Sequence, residues 1–394
     1  MQLVIARVAV RNIDAHKNSL AADVLTTDAE FVVNDPTVDL VVEVMGGIDQ
    51  ARGLILKALA SGKPVVTANK ALIATHGAEL FAAADNAGID LLFEAAVCGG
   101  IPLIRPLRES LRGEPIKRVL GIVNGTTNYI LTKMSEEGQS YADALAGAQS
   151  LGYAETDPTA DIEGHDAAAK AALLASLAFH STVVIDEVYC EGITHISSED
   201  VIAAKSMNSV IKLLAIAELT VKDEISVRVH PVILPIAHPL ASVRNAFNAI
   251  YVESEAAGQL MFYGRGAGGA PTASAILGDL VAVARHAAYS TVGYGESDYA
   301  DLDIAPIGAV KSQFFVRLHV ADKSGVLAAI AQTFASENVS IQTVRQSGLG
   351  ADAELIVVTH AASEDALDAC VEKLKKMDIV SKVESVIRVE GAPA

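Results

Sequence analysis

The stretch DLVVEVMGG, residues 39–47, decides the fold class of this chain. A near-continuous apolar run ends there in a glycine-containing turn, and KPVVTANK (63–70) and IDLLFEAAV (89–97) are predicted strands of the same kind. Helical patterns begin after Asp49 and after His76. Because apolar strands joined by helices are typical of a parallel sheet that is covered on both faces, we predict an α/β domain.

Residues at the ends of these strands indicate what the sheet binds. Gly46 lies in the first turn, and Thr67 and Lys70 end the next apolar run. Ligands of open parallel sheets bind at the carboxyl ends of the strands. We therefore predict a Rossmann-type dinucleotide-binding domain over residues 1–98, with a helix over residues 270–288 that returns to it.

The N-terminal end of this domain departs from the expected pattern. The run LVIARVAV (3–10) predicts a strand, but no G-x-G-x-x-G turn, the usual pyrophosphate cradle, occurs near residue 1. The first recognisable strand therefore resembles the second strand of a Rossmann sheet. We expect a truncated domain with weakened cofactor binding and low stability. Either the gene starts upstream, which we favour, or the chain is a defective fragment.

Arg11 bears on the choice of cofactor. It follows the first strand, where an NAD enzyme carries an acidic residue that binds the ribose hydroxyl. An arginine there suits a 2′-phosphate, and the alternative is a solvent-exposed loop arginine. The cofactor is therefore expected to be NADP, with NAD left open.

The composition excludes several classes of partner. The chain has 394 residues, enough for two or three domains, and its 48 acidic residues outnumber 30 basic ones. An acidic excess argues against nucleic acids and anionic membranes as partners. No apolar run reaches the roughly 20 residues that span a bilayer, and the N-terminus lacks a signal-peptide pattern. We expect a cytoplasmic protein.

The cysteines do not indicate a framework of disulfides. Cys98, Cys190 and Cys370 are far apart in the sequence, which favours neither a disulfide framework nor a thiolate zinc site. Cys98 lies among small residues in EAAVCGGIP. We expect a buried structural thiol there, and a catalytic nucleophile is the alternative.

The segment GYAETDPTADIEGHDAAAK (152–170) most resembles a chemical site. Asp166 and Lys170 stand four residues apart at the start of an alanine-rich helix, so both side chains project from one face. Upstream, NGTTNYIL (124–131) predicts a polar cradle at a helix N-terminus. We interpret the pair as a proton donor held beside a carboxylate. An exposed ion pair together with a helix cap is the alternative.

The middle of the chain, residues 99–269, mixes helices and strands and predicts an α+β domain. Such strands form an open sheet with one face covered by helices, often a dimer surface. GRGAGGAP (264–271) is either a phosphate or nicotinamide loop or only a tight turn before the returning helix. The predicted elements are helices over 167–179 and 202–218 and strands over 225–235 and 246–256.

The C-terminal residues predict a separate small domain. Residues 289–312 are predicted to form a linker. Residues 313–394 are predicted to follow the order βαββαβ of a ferredoxin-like sandwich. A loop with Asp322 and Gly325 between the first strand and helix offers helix N–H groups to a small carboxylate ligand. A domain used only for oligomer contacts is the alternative.

Motifs along most of the chain carry a resemblance to a known family. In order, they are VVEVMGG, VVTANKALIA, FEAAVCGGIPLIRPL, GIVNGTTNYIL, LGYAETDPTADIEGHDAAAK, EGIT and GAGGAPTASA. From residue 1 to about residue 290 the chain resembles homoserine dehydrogenase. The C-terminal domain resembles an ACT domain.

The resemblance implies a reaction and a set of site residues. The reaction is the reversible reduction of L-aspartate 4-semialdehyde to L-homoserine with NADPH or NADH, in threonine, methionine and isoleucine biosynthesis. Lys170 matches the family's proton donor, and Lys70 matches its second active-site lysine. Substrate-binding positions match at Gly125, Thr126, Glu155 and Asp166, and cofactor-binding positions match at Arg11, Gly46, Thr67, Lys70, Gly152, Glu155 and Gly268.

The resemblance also implies ligands beyond the substrate. Glu94, with main-chain carbonyls at Val97, Gly99 and Ile101, matches a monovalent cation site, usually sodium, and an all-oxygen shell suits a hard cation. The ACT domain would bind threonine or another amino acid as an effector. A homodimer or homotetramer is expected.

Two other functions are alternatives at this point. The missing Gly-rich loop permits a regulatory amino-acid-binding protein that keeps the fold without catalysis. A cysteine-dependent semialdehyde dehydrogenase would act through Cys98, but no histidine motif accompanies that thiol.

Overall fold

The computed structural model describes residues 2–293, 295, 300–348 and 353–391. In that part of the chain the strands are β1 (Val8–Ala9), β2 (Leu25–Thr26), β3 (Val41–Glu43), β4 (Val65–Thr67), β5 (Leu91–Leu92), β6 (Ile116–Ile122), β7 (Tyr189–Cys190), β8 (Ser209–Leu219), β9 (Ile225–Pro235), β10 (Phe247–Ser254), β11 (Gln259–Arg265), β12 (Lys311–Val320), β13 (Ile341–Ser347), β14 (Ala353–Thr359), β15 (Ala362–Ser363) and β16 (Val380–Val389). The α-helices there are α1 (Ala29–Asn34), α2 (Asp49–Ala60), α3 (Lys70–Ala87), α4 (Gly125–Glu137), α5 (Tyr141–Ser150), α6 (Thr159–Ile162), α7 (His165–Phe179), α8 (Ser198–Ser206), α9 (Gly269–Tyr289), α10 (Val326–Ser336) and α11 (Glu364–Leu374). Within these ranges no helix is long and apolar enough to cross a membrane.

The first of two compact units contains a parallel sheet of the predicted kind. This unit comprises Met1–Glu114, Ala172–Ile185 and Gly264–Asp301. Strands β3, β4 and β5 pair in parallel in that order. Val65 and Val66 in the central strand are fully buried. Burial on both faces explains the continuous apolar runs in the sequence.

The N-terminal strands form a separate sheet in the same unit. β1 and β2 pair in parallel, with Val8 opposite Leu25, and no strand in the described part of the chain joins them to β3–β5. The strand predicted over residues 3–10 is thus reduced to two residues. Strand structure requires backbone partners, and the side chains of Leu3, Val4 and Ile5 are exposed instead of packed.

The second unit is built on one large sheet. It comprises Pro115–Ala171, Asp186–Tyr263 and Leu302–Ala394. The strand order is β11-β10-β6-β8-β9-β16-β12-β14-β13, with β7 paired to β9 and β15 paired to β12. Helices α4 and α8 pack against β8. The predicted mixture of helices and an open sheet is therefore present.

The helix predicted over residues 202–218 is wrong. Helix α8 ends at Ser206, and the following residues form strand β8. This strand pairs antiparallel with both β6 and β9, and its central residues are buried. A short apolar run fits a helix or a doubly buried strand equally well, so its two neighbouring strands decide its structure.

The C-terminal part adopts the predicted βαββαβ order. Strand β12 lies between β14 and β16 in an antiparallel arrangement. Phe314 and Leu318 of this strand share a buried apolar cluster with Ile330 and Phe334 of α10. The alternation along β12 therefore places its apolar face on the helix.

This C-terminal sheet continues the larger sheet of the second unit. β16 pairs in parallel with β9, with Arg388 opposite Val232 and Val389 opposite Ile233. Within the predicted linker, Ile304 forms a β-bridge with Ile225. Pairing between segments so far apart in sequence leaves no local pattern, so it is not predictable from the sequence.

Candidate functional site

Lys170 and Asp166 form a buried ion pair on α7. The Nζ atom of Lys170 lies 2.7 Å from Asp166 Oδ2 and donates to the main-chain oxygen of Val123 at 2.8 Å. Lys170 is only 8% exposed. The prediction that both side chains share one helix face is confirmed. The burial contradicts the alternative of an exposed surface pair.

Asn124 connects this pair to the start of α4. Its side-chain oxygen accepts a hydrogen bond from the Thr127 N–H at 2.9 Å, which caps the helix as the motif NGTTNYIL predicts. Its Nδ2 donates to Asp161 Oδ1 at 2.6 Å and to Asp166 Oδ2 at 3.0 Å. Neither Asn124 nor Asp161 is among the site residues predicted from the sequence, although the N-cap position of the asparagine is a usable signal.

Gly125 and Thr126 occupy the first turn of α4. A Cβ atom on Gly125 would lie 2.9 Å from the main-chain oxygen of Ala246, so only glycine allows this close approach. The Thr126 hydroxyl donates to the main-chain oxygen of Tyr153 at 2.6 Å. The structure thus brings the predicted residues of α4 together with the 152–170 segment.

Gly152 and Glu155 lie in the exposed loop of that segment. Gly152 has a φ of 72°, a left-handed conformation that favours glycine. The main-chain oxygen of Glu155 accepts a hydrogen bond from Gln149 Nε2 at 3.1 Å, and its side chain is exposed. An exposed carboxylate is suited to meet a cationic group from solution.

The EGIT segment braces the turn that precedes Asp166. The Ile193 N–H donates to the main-chain oxygen of Ile162 at 2.8 Å, and Cys190 Sγ donates to that of Glu163 at 3.2 Å. A Cβ atom on Gly192 would lie 2.2 Å from the Ile162 oxygen. Burial raises the pKa of Cys190 to about 11, so this thiol is protonated near neutral pH.

At the carboxyl ends of β3 and β4, Glu43 organises the glycine turn. Its carboxylate accepts the N–H of Met45 at 2.8 Å, the N–H of Gly46 at 3.1 Å and the hydroxyl of Thr67 at 2.6 Å. Glu43 is buried. Gly46 and Thr67 are predicted site residues, but the Glu43 carboxylate that joins them is not. A lone Glu in an apolar strand is the signal that was available.

Lys70 begins α3 at the same edge of the sheet. The preceding Asn69 caps this helix with its side chain. Gly268, with a φ of 115°, immediately precedes α9. Arg11 is exposed and lies two residues beyond β1. Of the predicted cofactor residues, Arg11, Gly46, Thr67, Lys70 and Gly268 belong to the first unit, and Gly152 and Glu155 belong to the second.

Glu94 uses its carboxylate to cap the start of the short helical segment over residues 104–110. Oε1 accepts the N–H groups of Leu103 and Ile104, and Oε2 accepts that of Arg105 at 3.0 Å. Three backbone donors therefore occupy the carboxylate. At this predicted cation site, main-chain oxygens are the better candidates for ligands.

The turn with those main-chain oxygens is tightly built. Cys98 and Gly99 both have positive φ angles, 56° and 54°. A Cβ atom on Gly99 would lie 2.5 Å from the main-chain oxygen of Gly266. Val97, Cys98 and Ile101 are buried, so the expected burial of the Cys98 thiol is confirmed. Among the residues that the structure describes, no cluster of His, Cys, Asp and Glu could hold a metal ion.

A cavity of about 280 Å³ opens at the start of α10. Asp322 and Gly325, both predicted as ligand residues, line it. Gly325 precedes the helix with a φ of 91°. Gln346 from β13 and Leu355 from β14 complete the wall. The two strand residues were not predicted, because sequence spacing does not show which strands face the loop.

Three sequence-family models match the chain. The model described as "Homoserine dehydrogenase, NAD binding domain" matches residues 1–94, and the model "Homoserine dehydrogenase" matches residues 102–281. The model "ACT domain" matches residues 314–378. Lys170 and Asp166 lie inside the second match.

Curated relatives match over almost the whole chain. The homoserine dehydrogenase of Corynebacterium glutamicum is 53% identical over 392 residues, which cover 98% of this chain and 88% of the relative. The homoserine dehydrogenase of Mycobacterium tuberculosis is 52% identical, with coverage of 99% and 90%. These identities extend through the sheet, the 152–170 segment and the C-terminal part.

Solved structures agree with the sequence matches. The crystal structure of a homoserine dehydrogenase from Thiobacillus denitrificans has a TM-score of 0.92 at 41% identity, covering 98% of this chain and 90% of that one. A hyperthermophilic archaeal homoserine dehydrogenase in complex with NADPH has a TM-score of 0.59 at 31% identity, with coverage of 69% and 81%. The chain therefore belongs to the homoserine dehydrogenase family of NAD(P)-dependent oxidoreductases, with a Rossmann-like NAD-binding domain, a catalytic domain and a C-terminal ACT domain.

Proposed function

We propose that the chain catalyses the reversible NAD(P)H-dependent reduction of L-aspartate 4-semialdehyde to L-homoserine, with Lys170 as the proton donor. The buried Lys170–Asp166 pair on α7, which Asn124 links to the start of α4, is the observation that supports this most directly. An ammonium that is hydrogen-bonded to a carboxylate has a fixed position and a strong charge-assisted contact. Both properties suit a general acid.

Residues of the second unit have different roles in the proposed reaction. The cofactor, when bound, supplies the hydride that attacks the aldehyde carbon. Lys170 stabilises the negative charge that develops on the aldehyde oxygen and donates a proton to it. Asp166 holds the ammonium in place, and Asn124 donates to the same carboxylate oxygen. Asp166 and Glu155 also supply negative charge for the ammonium group of the amino-acid substrate.

We assign the nicotinamide cofactor to the strand ends of the first unit. Gly46 and Gly47 have positive φ angles and open space where a Cβ atom would project, which suits close approach of a ligand to the backbone. Lys70 is the second active-site lysine in this proposal, and Arg11 favours NADP over NAD. The proposed cofactor residues are Arg11, Gly46, Thr67, Lys70, Gly152, Glu155 and Gly268.

We also propose a structural monovalent cation, with sodium favoured by the all-oxygen ligands, at the turn after Glu94. The main-chain oxygens of Val97, Gly99 and Ile101 are chemically suited to such an ion. The carboxylate of Glu94 supports the site indirectly, because it caps the neighbouring helix. The cation would thus stabilise the turn without taking part in proton transfer.

For the ACT domain we propose amino-acid binding with threonine as the effector. The cavity at Asp322 and Gly325 combines helix N–H groups with a carboxylate side chain, and these suit the carboxylate and ammonium of an amino acid. We further propose that the chain forms a homodimer or homotetramer and is cytoplasmic. The proposed limits are residues 1–98 with 270–288 for the NAD(P)-binding domain, 99–269 for the catalytic domain and 313–394 for the ACT domain.

Neither alternative function is favoured. Family models cover the NAD-binding, catalytic and ACT parts, and relatives above 50% identity are named as the enzyme. A purely regulatory protein has no need for the buried Lys170–Asp166 pair. Cys98 is buried, which does not suit a nucleophile that must reach a substrate.

The Lys170→Ala variant tests the proton-donor assignment. NADPH oxidation with L-aspartate 4-semialdehyde should fall by a factor of about 100 or more, since general acid catalysis contributes roughly that much. Lys222→Ala, which changes an exposed lysine of the same unit, is the control and should keep normal turnover. Normal turnover by Lys170→Ala at saturating NADPH would refute the assignment.

A further inference from the structure

Asn248 shares a hydrogen-bond acceptor with the proposed proton donor. Its Nδ2 donates to the main-chain oxygen of Val123 at 2.9 Å, and Lys170 Nζ donates to the same oxygen at 2.8 Å. A carbonyl oxygen has two lone pairs and can accept both bonds. Asn248 is 2% exposed and lies on β10, which pairs with β6 just before Val123.

The peptide that joins Val123 to Asn124 holds both members of the catalytic pair. Its carbonyl oxygen binds Lys170, and the Asn124 side chain donates to Asp166 at 3.0 Å. A shift of this peptide would therefore move the ammonium and the carboxylate together. Asn248 anchors the peptide from the neighbouring strand.

Stability does not account for an asparagine at this position. The Oδ1 atom of Asn248 is buried and accepts no hydrogen bond within the part of the chain that the structure describes. A buried unsatisfied polar atom costs about 1–3 kcal/mol. Leucine has a similar branched shape and would avoid this cost. The amide is therefore expected to serve a purpose other than packing.

We propose that Asn248 is a positioning residue for the proton donor: its amide fixes the Val123 carbonyl and thereby the place of Lys170. The inference rests on the proposed function, because it takes Lys170 as the proton donor. Asn248 acts through Val123 and Asn124. Its effect is therefore expected on turnover and on the protonation of Lys170, with little effect on cofactor affinity.

Asn248→Leu is the main test. We expect kcat for the semialdehyde to fall about 10- to 100-fold, since small misplacement of a catalytic group has effects of this size. The KM for NADPH should stay the same, and the urea unfolding midpoint should be unchanged or higher. A normal kcat, or a loss of activity that only follows a loss of folded protein, would overturn the proposal.

Asn248→Asp gives an independent readout. The new carboxylate would join Asp166, which contacts Lys170, and Asp161, which is linked through Asn124. An ionised carboxylate cannot donate to the Val123 oxygen, and its negative charge favours the protonated amine, so kcat should fall and the basic limb of its pH profile should move to higher pH. An unmoved profile in a folded variant would contradict a role at Lys170.

Two controls separate this inference from the proposed function. Ser254→Ala changes a mostly buried hydroxyl at the other end of β10 and should leave kcat unchanged. Lys170→Ala is measured beside it. If Lys170→Ala is inactive and Asn248→Leu is normal, only the positioning role fails. If Lys170→Ala is normal, the proton-donor assignment itself fails.

Discussion

His230 on β9 is a fully buried imidazole with basic neighbours. Nδ1 lies 3.0 Å from the main-chain oxygen of Pro231, and Nε2 has no hydrogen-bond partner among the described residues. Burial, together with the positive charges of Arg388 and Arg228, lowers the pKa of His230 well below its ordinary value of 6.5. The imidazole is therefore neutral in the folded chain.

Acid should destabilise the fold through this residue. Below the ordinary pKa of histidine, about 6.5, the unfolded chain binds a proton at His230 that the folded chain does not bind. The free energy of unfolding consequently falls as the pH falls, by up to about 1.4 kcal/mol per pH unit. In His230→Gln, the free energy of unfolding measured by urea denaturation should fall less steeply as the pH is lowered below neutral. The exposed His360→Gln is the control, and an unchanged slope in His230→Gln would contradict the assignment.

Single residues differ in how far sequence alone identifies them. Lys170 and Asp166 are predictable because helical spacing puts them on one face. Asn248 and Glu43 are not, since their importance comes from a carbonyl on another strand and from a turn joined to another strand. Tertiary hydrogen bonds of this kind leave no periodic signal. The amino-acid composition around Asn248 and Glu43 does not identify them as site residues either.

At the scale of elements, the turn through Cys98 and Gly99 depends on a close backbone approach. Gly99 combines a φ of 54° with a Cβ position only 2.5 Å from the main-chain oxygen of Gly266. The Gly-rich segment before α9 is therefore packed against this turn. In this arrangement Gly99 is needed for space as well as for conformation.

Gly99→Ala should destabilise the first unit. The methyl group would force the backbone of Gly266 to move and would hold the residue at an unfavourable φ, so we expect a loss of about 2 kcal/mol or more in the free energy of unfolding. Gly113→Ala has no atom within 4 Å of the new methyl and serves as the control. Equal thermal stability of the two variants would rule out the close approach as a constraint.

Strand β8 is an element that local sequence patterns do not predict. The alternating helices and strands of the first unit and the βαββαβ order of the C-terminal part follow from local patterns. The run from Ser209 to Leu219 is apolar enough for either structure, and only its pairing with β6 and β9 makes it a strand. In the described part of the chain, β1 and β2 likewise pair only with each other, which their local sequence does not predict.

At the scale of the whole molecule, described within its second unit, a chain of contacts joins the ACT strands to the proposed substrate segment. Arg388 on β16 donates to Glu364 at 2.6 and 2.9 Å and to Glu191 at 2.7 Å. Glu191 stands between Cys190 and Gly192, which pack against the turn before Asp166. The effector binding proposed for the ACT part would thus have a route of direct contacts toward Lys170.

Glu191→Gln should weaken the proposed inhibition by threonine. The change removes a charge from the contact with Arg388 and leaves the Arg388–Glu364 pair intact. Substitutions along coupled networks change coupling by about 0.5–2 kcal/mol, so the threonine concentration for half-inhibition should rise roughly 2- to 30-fold. The measurement is a threonine titration of NADPH oxidation. Glu372→Gln, an exposed ACT residue, is the control. An unchanged half-inhibition value would argue against this route.

The pairing of β16 with β9 limits how an unregulated form of the enzyme can arise. Cutting the chain before β12 would leave Val232 and Ile233 on an open strand edge, and such edges promote aggregation. The proposed control by threonine is therefore expected to be lost through point substitutions within the C-terminal module, because deleting the whole module would expose this strand edge.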